Sequence, residues 1–98
     1  MNKIFSDISW KHYLYWQVND KKILNKINEL LKDVDRNGNE GLGKPEHLKN
    51  ELSGLWSRRI TDEHRLIYSI DNENIYIQII CRFISNGACY LYFPPNCM

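Results

Sequence analysis

One carboxylate lies among several basic side chains in the middle of this chain. The carboxylate is Glu46, and the basic residues around it in sequence are Lys44, Lys49, Arg58, Arg59 and Arg65. RNA is cleaved when a base removes the 2′-hydroxyl proton, cations stabilise the attacked phosphate, and an acid protonates the leaving 5′-oxygen. No metal ion is required. The grouping therefore indicates a candidate small ribonuclease, with ordinary ion pairs on a solvated loop as the alternative interpretation.

Glu46 is the candidate general base, because Lys44 and Lys49 on either side favour its ionised form. Arg59 and Arg65 are the candidate phosphate ligands. A guanidinium group suits this role because it is planar, always charged and able to pair with two phosphate oxygens at once. Arginines that merely decorate the surface of two strands are the alternative.

The turn between the two arginines decides whether they can act together. A three-residue loop at 61–63 pairs Arg59 with Arg65 on one face of the sheet. A two-residue loop at 62–63 instead separates them. The functional interpretation therefore predicts the three-residue loop. Arg58 alternates to the opposite face, where we expect it in solvent or in a salt bridge.

The histidines and tryptophans favour structural interpretations. We expect His64 to be solvated or structural, His12 to lie on the surface of the first helix, and His47 to point away from the preceding glutamate if a helical turn forms there. No Ser-His-Asp or Cys-His spacing stands out, and there is no glycine-rich phosphate loop. We expect Trp10 and Trp56 to pack between helix and sheet, although tryptophans also stack on bases in proteins that bind single strands.

The length and composition are those of one small globular domain. The chain has 98 residues, of which 43% are hydrophobic and 26% charged, and its formal net charge is only +1. Such a charge gives no support to nucleic-acid binding, so that function depends on where the charges lie. No apolar run is long enough to span a membrane, and the first residues lack the apolar region of a signal peptide, so we expect a cytoplasmic protein with no membrane partner.

The three cysteines indicate neither a metal site nor a secreted disulfide framework. Cys81, Cys89 and Cys97 are an odd number, and their spacing matches no zinc-binding pattern. We predict free thiols, with a disulfide between Cys89 and Cys97 as the alternative. We predict no metal ion and no cofactor.

Local patterns predict a strand and two helices in the first part of the chain. Residues 3–6 favour a short strand, and Ser6 or Asp7 can cap the helix that follows. We expect this helix to pack through Trp10, Tyr13 and Leu14. Asp20 is a good cap for a second helix. Its apolar residues recur at helical spacing, at Ile23, Ile27, Leu30, Leu31 and Val34.

The second part of the chain predicts an antiparallel meander. A short helical turn is expected at 45–49, and strands are expected at 55–60, 65–70 and 75–82. In the last strand the odd positions from Ile75 alternate with the even positions from Tyr76. The predicted architecture is α+β, in the order β-α-α-β-β-β, with an antiparallel sheet and two helices packed on one face. Residues 83–98 carry no charge and form either one more strand, through 89–93, or a loose apolar tail.

At these residues the chain resembles bacterial toxins of the YoeB/Txe type, within the RelE superfamily of ribosome-dependent mRNA interferases. The resemblance runs from about Lys3 to Arg82, and it divides the chain into a toxin domain at 1–82 and an atypical tail at 83–98. It rests on many motifs in order, including Tyr13-Leu14-Tyr15-Trp16-Gln17, Lys26-Ile27-Asn28-Glu29-Leu30, Gly43-Lys44-Pro45-Glu46, Trp56-Ser57-Arg58-Arg59-Ile60-Thr61 and Glu63-His64-Arg65-Leu66.

The resemblance implies a compact RelE-like toxin that enters the ribosomal A site and cuts mRNA there. It implies that Glu46 is the general base and that Arg65 stabilises the phosphate. It also implies that Lys49 and Arg59 line the site, with Lys44 nearby. The implied partners are the ribosome, mRNA and a cognate antitoxin of the YefM/Phd type, and a homodimer is left open.

The C-terminal end departs from the family pattern. The family's last strand is normally followed by a His-Tyr pair, whose histidine is the proposed general acid and whose tyrosine helps to hold the mRNA base. Here Ile84 and Ser85 follow the corresponding strand. Isoleucine has no proton to donate and serine cannot stack on a base, so impaired cleavage is expected. The tail is either a frameshift product or a functional segment. The alternative function is a non-catalytic protein that titrates antitoxin or co-represses its operon.

Overall fold

The fold is α+β, with two helices on one face of a sheet, as the sequence predicts. The computed structural model describes residues 1–83 and 89–90. The helices are α1 (Asp7–Asn19) and α2 (Lys21–Asn37), with a short 3-10 turn at Asn50–Leu52. The strands are β1 (Asn2–Phe5), β2 (Glu46–His47), β3 (Trp56–Arg59), β4 (His64–Ile70), β5 (Asn74–Phe83) and β6 (Cys89–Tyr90).

The sheet is mostly antiparallel and has the strand order β1-β5-β4-β3-β2. β1 is the exception, since it pairs with β5 in parallel. The reason is that both helices lie between β1 and the next strand, and a parallel pair needs such a long crossover. β6 pairs with the end of β5, so of the two alternatives for the tail the extra strand is the one found at Cys89 and Tyr90. Residues 84–88 and 91–98, including Cys97, lie outside the described part of the chain.

The second helix matches its prediction closely. Asp20 Oδ1 accepts hydrogen bonds from the backbone N–H groups of Lys22 and Ile23, which satisfies two donors that the first helical turn leaves unpaired. The apolar stripe faces the core. Ile27, Leu30, Leu31 and Val34 are buried, and Ile23 is half-buried.

The predicted packing face of α1 is wrong for Trp10 and Leu14, whereas Tyr13 packs against the core as expected. Trp10 and Leu14 are 46% and 41% exposed, whereas the buried residues of this helix are Ser9, His12 and Trp16. The prediction of a surface position for His12 is therefore also wrong. Trp10 instead stacks on Tyr13 at the surface, with ring centroids 5.9 Å apart.

The edge of β5 explains why polar residues of α1 are buried. β1 ends opposite Ile77, so the backbone of β5 beyond that point needs other hydrogen-bond partners. Ser9 Oγ donates to the Ile77 carbonyl at 2.7 Å, and Ser6 Oγ donates to the Gln78 carbonyl at 2.7 Å. His12 Nδ1 accepts from the Ile80 N–H at 3.3 Å. Side chains at the start of α1 thus supply hydrogen bonds to the backbone of β5 beyond the point where β1 ends.

Two further local predictions are corrected. The strict alternation along β5 fails because the register with β4 shifts, so that Ile67 pairs with Ile79 but Tyr68 pairs with Ile77. Gln78 is the extra residue of this bulge. The helical turn expected at 45–49 is absent from the structure, which has the edge strand β2 there instead.

The remaining apolar residues form two clusters, one on each face of the sheet. The larger cluster joins the helices to sheet residues that include Leu66, Tyr68, Ile75, Ile77 and Ile80. The smaller one holds Leu48 and Ile67, with Leu52 and Leu55 packed against them. Trp56 packs against the larger cluster, as expected. None of the helices in the described residues is both long and apolar enough to cross a membrane.

Buried His12 predicts a pH-dependent loss of stability. Burial lowers the pKa of His12 from 6.5 to about 4. The unfolded chain therefore takes up a proton below pH 6.5 that the folded chain refuses until about pH 4. Stability is full above this window and falls as the pH drops through it, by on the order of 3 kcal/mol.

The change His12→Asn keeps an acceptor near the Nδ1 position but removes this titration. We expect the free energy of unfolding, measured in urea from pH 4 to 6.5, to vary less with pH by about one bound proton. His47→Asn, at an exposed position, is the control for loss of a histidine. An unchanged slope in His12→Asn would contradict the assignment.

Candidate functional site

The loop between β3 and β4 brings the two candidate phosphate ligands together. Arg59 pairs with Arg65 in the antiparallel register, and the Ile60 N–H donates to the His64 carbonyl at 2.9 Å. The loop is therefore the three-residue loop at 61–63, as predicted. Because directly paired residues point to the same side, both arginines lie on the sheet face opposite the helices.

The edge strand β2 places the candidate base on that same face. Glu46 pairs with Ser57, and Ser57 lies two residues before Arg59 on β3. Since side chains two apart on a strand share a face, Glu46 and the arginines face the same side. His47 pairs with Trp56 and faces the other side, where the two ring centroids are 5.2 Å apart. His47 thus points away from Glu46, but through strand alternation rather than a helical turn.

Arg65 is fixed in position by the loop that precedes it. Its side chain is buried, and its Nη1 donates to the carbonyls of Thr61 at 2.7 Å, Asp62 at 3.1 Å and His64 at 3.1 Å. Burial and the charge of Arg59 lower the pKa of Arg65, while the charges of Asp62 and Glu46 raise it. The base and both arginines therefore share one electrostatic environment.

The two lysines occupy exposed positions on either side of β2. Lys44 has a left-handed backbone, with φ of 50°, which is uncommon for a residue other than glycine. It follows Gly43, whose carbonyl accepts from the Arg59 N–H at 2.7 Å. Lys49 follows Leu48, which is buried in the smaller cluster. The structure thus unites Glu46 with the arginines and leaves the lysines as flexible cations at the margin.

The sequence predicted the environment of Arg58 only in part. The expectation of a salt bridge is correct, but its side chain is fully buried on the helix side of the sheet. It forms an ion pair with Asp33 of α2, at 2.6 Å from Nη1 to Oδ2, and its Nε donates to the Tyr68 hydroxyl at 3.1 Å. Nη1 and Nη2 also donate to three carbonyls of the loop after α2, those of Gly38, Glu40 and Leu42.

These bonds fix the loop that leads to Lys44 and Glu46. Asp33 also accepts from the Leu42 N–H at 2.9 Å, and its hydrogen bond with Arg58 is the main cause that lowers the pKa of Asp33. Gly41 lies against this pair with φ of 104°, and a Cβ atom there would overlap the Asp33 carboxylate. The loop can take this path only with glycine at that position.

The arrangement suits acid–base chemistry on a phosphate without a metal ion. A carboxylate can accept a proton, and two neighbouring guanidinium groups can hold phosphate oxygens. Within the residues that the structure describes, no group of three or more His, Cys, Asp or Glu side chains is placed to hold a metal ion.

Comparison with known proteins gives a consistent result. A family model described as the YoeB-like toxin of bacterial type II toxin–antitoxin systems matches residues 5–84. Toxin YoeB of Escherichia coli K12 is 55% identical over 83 residues, which cover 85% of this chain and 98% of that protein. Toxin YoeB of Synechocystis is 52% identical, over 85% of this chain and 95% of that protein.

Solved structures agree. The YoeB dimer from Staphylococcus aureus is 52% identical and has a TM-score of 0.79, covering 86% of this chain and 97% of that chain. The S. aureus YoeB–YefM heterotetramer gives the same values. The more distant YafQ of E. coli, at 17% identity and a TM-score of 0.67, shows the shared fold alone. The fold is that of a type II toxin of the RelE/ParE superfamily. Within that superfamily, the chain belongs to the YoeB-like toxin family.

Two neighbouring arginines of β3 should respond differently to the same substitution. Arg58→Met removes the N–H donors that this side chain supplies to the Asp33 carboxylate and to three loop carbonyls. We therefore expect the free energy of unfolding to fall by roughly 3–5 kcal/mol. Arg59→Met changes an exposed side chain and should alter it by less than about 0.5 kcal/mol. Urea unfolding measures both. Equal losses would show that the buried pair does not hold the loop.

Proposed function

We propose that this toxin is a metal-independent endoribonuclease that cuts mRNA in the ribosomal A site. The observation that carries the proposal is the placement of Glu46, Arg59 and Arg65 on one solvent-facing side of the sheet. The family membership supports the proposal. The net charge of only +1 is compatible with it, because the ribosome rather than a strongly basic protein surface would bring the RNA to the site. The cytoplasm is the compartment in which such a target is found.

The proposed reaction assigns one role to each group. The Glu46 carboxylate takes the proton of an RNA 2′-hydroxyl, and the oxygen attacks the adjacent phosphorus atom. Arg65 and Arg59 pair with the non-bridging oxygens, where negative charge increases as the new bond forms. Lys44 and Lys49 contact neighbouring phosphates. The bond to the 5′-oxygen then breaks, leaving a 2′,3′-cyclic phosphate on the upstream fragment, and the 5′-oxygen takes its proton from water.

The proposal includes a reduced rate, because the 5′-oxygen lacks the expected proton donor. The resemblance assigns this role to a histidine where the present chain has Ile84. Loss of a general acid lowers a rate by about 10²–10⁴-fold. The remaining base and arginines support slow cleavage.

The second candidate function is antitoxin binding without useful cleavage. The Ile84-Ser85 sequence favours it, and so do the exposed apolar side chains Trp10 and Leu14, which lie one helical turn apart on α1. Apolar patches of this kind often bind other proteins. The S. aureus relatives were solved as a dimer and with the antitoxin YefM, so a YefM-type antitoxin and a second copy are the partners that we propose.

Expression without antitoxin tests the nuclease proposal against the binding proposal. We expect slow growth inhibition with mRNA cuts at codons in the A site, and we expect Glu46→Gln to abolish the cuts because an amide accepts no proton from the hydroxyl. Mapping of mRNA 5′ ends measures this. Glu40→Gln, a nearby exposed carboxylate, is the control. Cuts that persist in Glu46→Gln would contradict the base assignment, and no cuts in any variant would favour the binding protein.

Restoring the family's C-terminal pair tests the missing acid. A chain with Ile84→His and Ser85→Tyr that stops after residue 85 should cleave ribosome-bound mRNA about 10²–10⁴-fold faster than the full chain. A chain that stops after the unchanged Ser85 is the matched control for removal of the tail. Equal rates in the two truncated chains would contradict the assignment of the acid.

A further inference from the structure

One hydroxyl group accepts two backbone hydrogen bonds within the loop that precedes Arg65. Thr61 Oγ1 accepts from the backbone N–H groups of Glu63 at 3.1 Å and His64 at 3.0 Å. The same oxygen lies 2.9 Å from His64 Nδ1. A threonine hydroxyl has two acceptor sites and one proton. Since the backbone groups use both acceptor sites, the hydroxyl proton is left to point toward Nδ1, an arrangement that suits the His64 tautomer with its proton on Nε2.

The loop and Arg65 hold each other. Arg65 Nη1 donates to the carbonyls of Thr61, Asp62 and His64, which all belong to this loop or border it. Those three carbonyls converge on Nη1 only while the loop keeps its present path, and the Thr61 hydroxyl fixes that path from the inside.

His64 connects the loop to the core. Its ring meets buried Trp16 of α1 edge to face, with centroids 5.1 Å apart and planes at 85°. The ring is thus held by a packed aromatic side chain on one side and by the Thr61 hydroxyl on the other. The contact links the helix layer to a loop that belongs to the opposite, functional face of the sheet.

We propose that Thr61 and His64 are positioning residues, which orient the Arg65 guanidinium for the RNA phosphate without touching the RNA. The proposal rests on the function proposed above, because it assigns an RNA phosphate to Arg65. A group that stabilises a transition state must already be oriented when the charge develops, since reorientation during the reaction adds to the barrier. Neither residue has a role in the reaction scheme apart from this one.

The test compares Thr61→Val, which keeps the shape but loses the hydroxyl, with Thr61→Ser, which keeps the hydroxyl. On ribosomes programmed with a defined mRNA, Thr61→Val should lower kcat about tenfold with little change in KM, because one orienting hydrogen-bond set is lost. Thr61→Ser should stay within about twofold of the unchanged chain. The assay uses the full chain and, in parallel, the faster truncated variant with Ile84→His and Ser85→Tyr.

A matched control separates positioning from stability. Asp71 holds the turn at the other end of β4 in the same manner, since its Oδ1 accepts from the N–H groups of Glu73 at 2.9 Å and Asn74 at 2.8 Å. Asp71→Ala should lower the Tm as Thr61→Val does, but leave kcat unchanged. If Asp71→Ala slows cleavage equally, or if Thr61→Val cleaves at the normal rate, the positioning role is overturned.

A spectroscopic measurement decides the geometry independently of cleavage. In ¹⁵N NMR spectra of the unchanged chain we expect His64 as the neutral Nε2–H tautomer and resolved, slowly exchanging Nη1 protons of Arg65. Both signatures should be lost in Thr61→Val and kept in Thr61→Ser. Unaltered spectra in Thr61→Val would overturn the positioning role even if cleavage fell. If no variant cleaves mRNA while the spectra change as expected, the proposed function fails and the local geometry stands.

Discussion

The buried ion pair between Arg58 and Asp33 is the interaction on which the site depends. It joins the sheet to α2, and the same guanidinium group gathers the carbonyls of the loop between α2 and β2. That loop has little apolar surface to hold it, and its backbone groups need partners inside the protein. Through this one side chain, the segment that carries Lys44 and Glu46 arrives at the edge of β3 in a fixed register.

Strand alternation then separates structural from functional arginines. Arg58 points into the core, and Arg59 points to the opposite side, where the paired Arg65 also lies. One strand thus supplies the anchor of the loop and a candidate ligand for phosphate in consecutive positions. A one-residue slip of β3 would turn Arg58 away from Asp33 and would put Arg59 on the core side instead. The demand for a buried partner of Arg58 therefore also fixes the register of the functional face.

The edge of β5 shows a second way in which polar groups set the architecture. β1 covers only the first part of that edge, and Ser6, Ser9 and His12 supply hydrogen bonds to the next part. These contacts bury polar residues of α1 and leave Trp10 and Leu14 near the surface.

The sequence predicts those features that depend on local chemistry. The helix α2 has one apolar stripe and an aspartate cap, and the pairing of Arg59 with Arg65 follows from a three-residue loop. The buried face of α1 is not predictable in this way, because its residues form hydrogen bonds with backbone groups of a strand more than 60 positions away. The depth of Arg58 depends on Asp33, which is 25 positions distant. The bulge at Gln78 and the edge strand β2 likewise arise from pairing with other strands, which no short pattern reveals.

The sequence indicated the residue types of the candidate site, and the family resemblance supplied the roles that are proposed for them. Charge spacing alone suggested Glu46 and the arginines but left surface ion pairs as an alternative. The structure adds that the three groups share one face and that Arg65 is held by its own loop. The sequence alone does not single out Thr61, because one hydroxyl group in a turn forms no recognisable pattern. Its importance appears only once the carbonyls around Arg65 are located.

The chemical nature of the RNA ends tests the central claim most directly. Purified chain and ribosomes carrying a defined mRNA should be incubated with EGTA, which removes free divalent transition metals, and with cobalt hexammine. The upstream fragment should then be analysed by mass spectrometry. The account predicts a 2′,3′-cyclic phosphate or its 3′-phosphate product, because the attacking group is the RNA's own 2′-hydroxyl. An upstream fragment with a free 3′-hydroxyl would contradict it, since that end requires attack by water from another kind of active site.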